Sequence, residues 1–362
     1  MKIDTDSKYV LKCFLVWRVL LFLPLFLAPH LISLRTGYLY EHIDNILFFP
    51  WANFDGVRYL SIAGRGYITE AAFFPLYPLL IRIVSLGGEL FSLRQFLAGL
   101  AISNIAFLIA LTMLYKIVKS DFSKATARWV VVFTLVFPTS FFFVSIYSES
   151  IFILLLVSSF WFARKKKWLL SALAGAILSA TRLVGVLILP AIWLRFRKAV
   201  YFIVPVGIVW YAIFNYLKWG NPLYFIKVHG QLANGRSVTS IVLFPQTIYR
   251  YIKILLELPM SLFEWWVALL EVSSFFVAAY LLYLAYKKGV EKSYLLFCLL
   301  AFLVPASSGT FSALPRYIIV LFPIYIALAL IKNNFLKKGL VLVFSCLLFI
   351  LLMFFARGYY IS

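Results

Sequence analysis

Acidic residues are scarce in this chain, with 13 Asp and Glu against 34 Lys and Arg in 362 residues and a formal net charge of +21. Charge of either sign is scarce too, at 13%, where a soluble domain carries roughly 25%. That shortage argues against an ordinary water-solvated surface. Cysteine is limited to Cys13, Cys298 and Cys346, in separate apolar runs with no CxxC or Cys/His spacing, so neither a disulfide framework nor a metal site is expected. His30 and His42 stand apart from any residue at ligand spacing, which argues against zinc. A Walker loop, a GxGxxG turn and a nucleophile elbow are all missing, so no nucleotide or other cofactor is expected. Short alternating strands are missing as well, which disfavours a membrane barrel. No internal repeat, low-complexity tract or second soluble domain stands out.

What the chain has instead is apolar: 64% of its residues are hydrophobic and 19% aromatic. Runs able to cross a hydrocarbon core of roughly 30 Å recur throughout, so the fold class is an all-α polytopic membrane protein. Its basic residues gather in short hinges between these runs, as the positive-inside rule requires and as an anionic leaflet favours. The net charge therefore speaks for membrane topology and membrane lipids, not for nucleic acid.

Alternation of the hinges sets the layout. Residues 1–12 carry Lys2, Lys8 and Lys12 and are expected inside, followed by a retained first span at 13–32 rather than a removed signal peptide. A first outer loop, 33–94, follows. Its 73–87 portion, FFPLYPLLIRIVSLG, is expected to lie in the interface, because counting it as a span would push the basic hinge KIVKSDFSKATAR at 116–128 outside. Spans are expected at 95–115, 129–145, 150–163, 168–181, 183–194 and 199–217. A second outer loop, 218–261, leads to spans near 262–286, 293–309, 316–331 and 339–356, about eleven in all, with the C-terminus outside. The whole of 1–362 reads as a single membrane domain: a catalytic part at 1–217, the second outer loop, and C-terminal helices at 262–362. Several spans are short, which puts Tyr147-Ser148-Glu149-Ser150 and Thr181-Arg182 at membrane depth, where a polar break must be buried in protein or face water.

The stretch 51–82, WANFDGVRYLSIAGRGYITEAAFFPLYPLLIR, is the part that apolar composition does not explain. It holds Asp55, Arg58, Arg65 and Glu70 among aromatics and prolines. Asp55, beside Gly56, suits a general base taking the proton of an attacking hydroxyl such as a sugar's; an Asx turn or helix cap explains it equally well. Arg58 lies one helical turn on, suited to pairing with Asp55, to a phosphate, or to snorkelling at the interface. Arg65 and Glu70 read as solvated. Phe74 and Tyr77, within FFPLYP, fit either a rigid wall for a lipid or acceptor or an aromatic belt.

Other polar positions fall on the outer side of this layout: Asp44, Glu149, Arg182, Arg316 and the loop around His229. Arg182 is far from both neighbouring basic hinges, and an unpaired charge at depth costs roughly 2.5–3.5 kcal/mol on insertion scales. Its partner is either a phosphate, which guanidinium binds bidentately, or Glu149. Arg316, after SSGTFSALP, suits a phosphate or the headgroup layer. His229, near Lys227 and Arg236, either helps position an acceptor or is structural.

Four blocks resemble those of the PIG-V-type mannosyltransferases, that is, glycosylphosphatidylinositol mannosyltransferase II and its prokaryotic relatives. They are NFDGVRYLSIAGRGY with AAFFPLYPLL, then FPTSFFFVSIYSESIF, SATRLVGVLILP and LPRYIIVLFPIY, in that order. The resemblance implies a GT-C glycosyltransferase fold and an inverting transfer from a polyprenyl-phosphate sugar, typically dolichyl phosphate mannose, to a lipid-linked or glycan acceptor on the outer face. By it Asp55 is the catalytic base and Glu149 and Arg182 line the donor site, to which the reading of the residues themselves adds Arg58, Tyr147 and Arg316. Family members often carry Trp-Asp where this chain has Phe54-Asp55, which bears on the acceptor more than on the fold. A multispan transporter or flippase is the alternative, disfavoured by the missing repeat and by the polar residues crowding one side.

Overall fold

A computed structural model describes residues 4–36, 39, 41–43, 45–87, 89–231, 236–238 and 240–361; Asp44 lies outside the described residues. Among them the chain is helical with no strand. The N-terminal helices are α1 (Thr5–Leu20), α2 (Phe22–Leu31), α3 (Asp55–Arg65) and α4 (Leu76–Val84), followed by α5 (Leu93–Asp121) and α6 (Lys124–Val136). The middle holds α7 (Glu149–Arg164), α8 (Trp168–Ser179), α9 (Ile188–Phe196), α10 (Val206–Trp219), α11 (Tyr224–Gln231) and α12 (Phe244–Glu257). The chain closes with α13 (Phe263–Lys287), α14 (Lys292–Ala306), α15 (Leu314–Tyr317), α16 (Pro323–Ala329) and α17 (Asn334–Ala356).

Five helical stretches among the described residues are long and apolar enough to cross a membrane: Thr5–Leu31, Leu93–Asp121, Ala199–Trp219, Phe263–Lys287 and Asn334–Ala356. Three shorter apolar helices accompany them, Trp168–Ser179, Leu183–Phe196 and Lys292–Ala306. Their outward faces carry Val19, Phe26, Leu217, Phe276 and Leu342, as surfaces bathed in hydrocarbon do. One hydrophobic core extends from Val10 to Ile361, so the ends of the chain share a single interior.

Of the eleven expected spans, five coincide with these long stretches and three with the shorter helices, and several differ in their bounds. The first helix begins at Thr5, because Asp4 caps it by accepting the Ser7 N–H at 2.6 Å. Helix α4 has nine residues, about 14 Å at 1.5 Å per residue, too short to cross alone. The run expected at 129–145 stops at Val136, since Pro138 disfavours helical backbone at Phe137; a 3-10 turn at Ser140–Val144 replaces it. The run expected at 316–331 is divided into α15, a 3-10 turn at Ile318–Val320 and α16. The Thr181-Arg182 break is sharp because the 3-10 turn Leu183–Leu187 folds back onto α8. Only glycine fits at 185, where a Cβ would stand 2.3 Å from the Leu178 carbonyl oxygen.

Candidate active site

The breaks in the helices gather at one place. Asp55 is the first residue of α3, where a carboxylate complements the positive end of the helix. It does not serve as the cap: the preceding residue, Phe54, holds that position with φ of 58° and no side-chain bond to the helix. A phenylalanine in the left-handed region is strained. It is held there by its ring packing against Phe355 and Tyr360, at centroid distances of 5.3 and 5.2 Å.

The loop before Asp55 is fastened to the Tyr147-Ser148-Glu149 segment. The Ile146 N–H donates to the Trp51 carbonyl at 2.7 Å, and the Tyr147 hydroxyl donates to the Asn53 carbonyl at 2.9 Å. The Asn53 amide donates to the Phe355 carbonyl at 3.1 Å, and the Tyr59 hydroxyl reaches Ser148 Oγ at 3.1 Å. Arg18 supports both strands of this junction. Its guanidinium lies 4.0 Å from the Trp51 ring centroid and donates to Asn104 Oδ1 at 3.2 Å, while the Asn104 amide donates to the Val144 carbonyl at 3.4 Å.

Four charges then alternate in a ladder. Arg316 Nη1 lies 2.5 Å from Asp55 Oδ2, Arg316 Nε lies 3.3 Å from Glu149 Oε1, and Arg182 Nη2 lies 2.9 Å from the same Glu149 oxygen. The Arg316 and Glu149 side chains are 6% and 1% exposed, whereas Arg182 and Asp55 are 16% and 24% exposed. The inner pair is thus the more buried and the outer two groups the more reachable. Neither Glu149 oxygen has hydrogen-bonding geometry towards a donor, so its contact with the guanidiniums is chiefly electrostatic. The Tyr317 ring lies under both cations, 5.0 Å from Arg182 and 5.4 Å from Arg316, with Tyr147 5.3 Å from Arg316. Arg316 is itself anchored, since the Thr139 hydroxyl donates to the Pro315 carbonyl at 2.7 Å.

Of the residues singled out in the sequence, Asp55, Tyr147, Glu149, Arg182 and Arg316 come together. Arg58 does not pair with Asp55; it is exposed, and Arg316 takes that place. Tyr147 is buried with its hydroxyl engaged by the backbone, so it braces the loop. Phe74 and Tyr77 form no open wall. Phe74 packs against Tyr211 and Phe225, and the buried Tyr77 hydroxyl bonds to the Gly99 carbonyl and Ser103. Glu70 is not solvated either: it is buried and accepts from the Ile68 and Thr69 N–H groups at 3.0 and 2.9 Å and from Arg65 at 3.1 Å. Burial opposes its charge, but the donors win and hold its carboxyl below the usual range.

His229 is partly buried on α11 with Nε2 2.8 Å from Arg236 Nη1. Burial, then Arg236, Arg182 and Arg316, push its imidazole down to about 3, with Asp55 opposing. It is therefore neutral at physiological pH. Arg236 carried no signal beyond its neighbourhood to His229, and the bracing roles of Arg18, Asn53 and Asn104 carried none, because each acts across a long sequence separation. No cluster of three or more His, Cys, Asp or Glu suited to a metal occurs among the described residues.

No curated protein matches the chain in sequence. A family model does: that described as Mannosyltransferase (PIG-V) matches residues 25–193, which hold Asp55, Tyr147, Glu149 and Arg182. Those residues make up just under half of the chain, and over them the sequence is similar to the PIG-V mannosyltransferases, which supports a membrane glycosyltransferase.

Proposed function

We propose that the protein is a GT-C-type glycosyltransferase with about eleven membrane passages, counted by charge alternation. It transfers a hexose, mannose by family, from a polyprenyl- or dolichyl-phosphate donor to a lipid-linked or glycan acceptor at the extracytoplasmic face. The observation that carries this reading is the ladder Asp55–Arg316–Glu149–Arg182, with a reachable carboxylate at one end and a reachable guanidinium at the other.

The chemistry is a single displacement. The acceptor oxygen bonds to the anomeric carbon as its proton passes to the Asp55 carboxylate. The bond from that carbon to the phosphate oxygen breaks on the opposite face, its electron pair stays with the phosphate, and the configuration inverts. Arg182 and Arg316 meet the charge that grows on the phosphate, the point at which fixed donors lower a barrier most. Glu149, shared by both guanidiniums, keeps them apart and aimed. Arg316 also restrains Asp55 until an anion competes for it. The group transferred travels on its own lipid carrier, so the reading calls for no added cofactor.

The test is chemical. Purified protein in liposomes, given radiolabelled polyprenyl-phosphate mannose and a lipid acceptor extract, should yield a new glycoside and free polyprenyl phosphate. Movement of unaltered substrate across the bilayer without a product would instead favour a transporter.

A further inference from the structure

Arg236 belongs to the second outer segment, which lies along the loop that delivers Arg316. The Ser237 N–H donates to the Ser308 carbonyl at 2.7 Å and the Val242 N–H to the Ser307 carbonyl at 3.0 Å. Arg250 donates to the Gly309 carbonyl at 2.6 Å, and the Phe311 N–H donates to the Tyr251 hydroxyl at 3.0 Å. That hydroxyl in turn donates to the buried Glu271 at 2.5 Å. Arg236 itself donates through Nη2 to the Ser312 carbonyl at 3.0 Å, four residues before Arg316. A strap therefore runs beside residues 307–312, and Arg236 stands at its end nearest the ladder.

Arg236 is placed differently from Lys253, a cation further along the strap. No carboxylate among the described residues forms an ion pair with it, whereas Lys253 pairs with Glu257 at 3.5 Å. Its other contact is His229, which accepts from it as a neutral ring. Arg236, Arg182, Arg316 and Asp55 all act electrostatically on that imidazole, so the three guanidiniums share one neighbourhood. The ladder supplies two carboxylates, Asp55 and Glu149, against them. Glu271 also acts electrostatically on Arg236, but it forms no ion pair with it and accepts the Tyr251 hydroxyl instead. A guanidinium fixed by two neutral acceptors keeps its charge for an anion.

We propose that Arg236 is a third guanidinium of a phosphate-binding site shared with Arg182 and Arg316, and that His229 is the residue that positions it. This rests on the glycosyl-transfer reading for the identity of the anion, a phosphate ester on a lipid, but the site is defined by the three cations alone. His229 thereby acts through Arg236 and not as an acceptor-binding group.

The full-length protein in dodecyl maltoside, titrated with dodecyl phosphate and separately with inorganic phosphate while tryptophan fluorescence is followed, tests it. Arg236→Gln should weaken dodecyl phosphate binding about tenfold or more, the worth of one charge-assisted hydrogen bond. Lys253→Gln should bind within about twofold of the original chain. His229→Gln, which retains an acceptor for Arg236, should stay near the original affinity, and His229→Leu should lose several-fold. Arg236→Lys keeps the charge without the fork and should fall between; it also serves if the Gln variant fails to fold.

Much tighter binding of dodecyl phosphate than of inorganic phosphate supports a lipid-borne ester; equal affinities support a free phosphate at the same residues. An unchanged affinity in Arg236→Gln, or no binding to the original chain, overturns the site. Equal losses in His229→Gln and His229→Leu overturn the positioning role. A protein that binds phosphate through Arg236 yet transfers no sugar overturns the enzymatic reading and leaves the site standing.

Discussion

Arg316 Nη1 meets Asp55 Oδ2 at 2.5 Å across 261 residues of chain. The proposed base is thus engaged by a cation when no anion competes for that cation. Removing the carboxylate charge without changing its shape separates catalysis from folding. Asp55→Asn should lower mannosyl transfer by about 10²–10⁴-fold, the range for loss of a general base. Its unfolding midpoint should stay close to the original, because Glu149 still partners Arg316. A product assay beside a thermal melt checks both, and retained transfer would remove Asp55 from the chemistry.

Glu149→Gln should act the other way, on stability first. It leaves Arg182 with no carboxylate and Arg316 with Asp55 alone, in a site where Glu149 is 1% exposed. Breaking a buried pair by removing one partner costs about 3–5 kcal/mol. The double variant with Arg182→Gln should lose less than the two single losses added, since both remove the same contact. Chemical unfolding of the four proteins measures that coupling.

Gly185→Ala should destabilise by about 1–3 kcal/mol, the usual cost of overpacking. The added Cβ would stand 2.3 Å from the Leu178 carbonyl oxygen, and the backbone must shift to admit it. Because this turn sets Arg182, phosphate affinity should fall as well, whereas the same change at Gly339, with open space around it, should be nearly silent. Melting curves and dodecyl phosphate titrations of the two variants decide.

Acid should loosen the outer segments through two groups, His229 and Glu70, whose pH windows overlap below about 4.5. The His229 value falls from 6.5 unfolded to about 3 folded, so between these limits the unfolded chain binds a proton that the folded one excludes. Stability is therefore flat above about 6.5 and declines as pH drops towards 3; His229→Gln should flatten that slope. Glu70, held below 4.5 when folded, contributes stability above that value that is lost as pH falls through its folded value. Glu70→Gln should remove only this lower limb. Unfolding midpoints from pH 8 to 3 check both signs.

Much of this architecture is visible in the bare sequence, for physical reasons. Long apolar runs ending in basic hinges announce membrane helices, and isolated charges within them announce a need for partners. Asp55, Glu149, Arg182 and Arg316 are conspicuous for that reason. Their joining into one ladder is not legible, because nothing in local spacing links 55 to 316. Glu70 reads as solvated from its polar neighbours, yet two backbone N–H groups and Arg65 bury it. Phe74 and Tyr77 read as a wall, because interfacial and interior aromatics look alike until their packing partners, Tyr211 and Ser103, are known. Where helices break at Phe137 and Thr181, proline and glycine chemistry accounts for the ends, but not for the convergence of those ends.

Asp55 and Glu149 fall within the matched region 25–193, whereas Arg316 lies well beyond it. During synthesis the two carboxylates leave the ribosome long before the arginine that bridges them. Until α15 is made, Glu149 therefore has only Arg182 of the ladder to pair with, and Asp55 lacks its ladder partner.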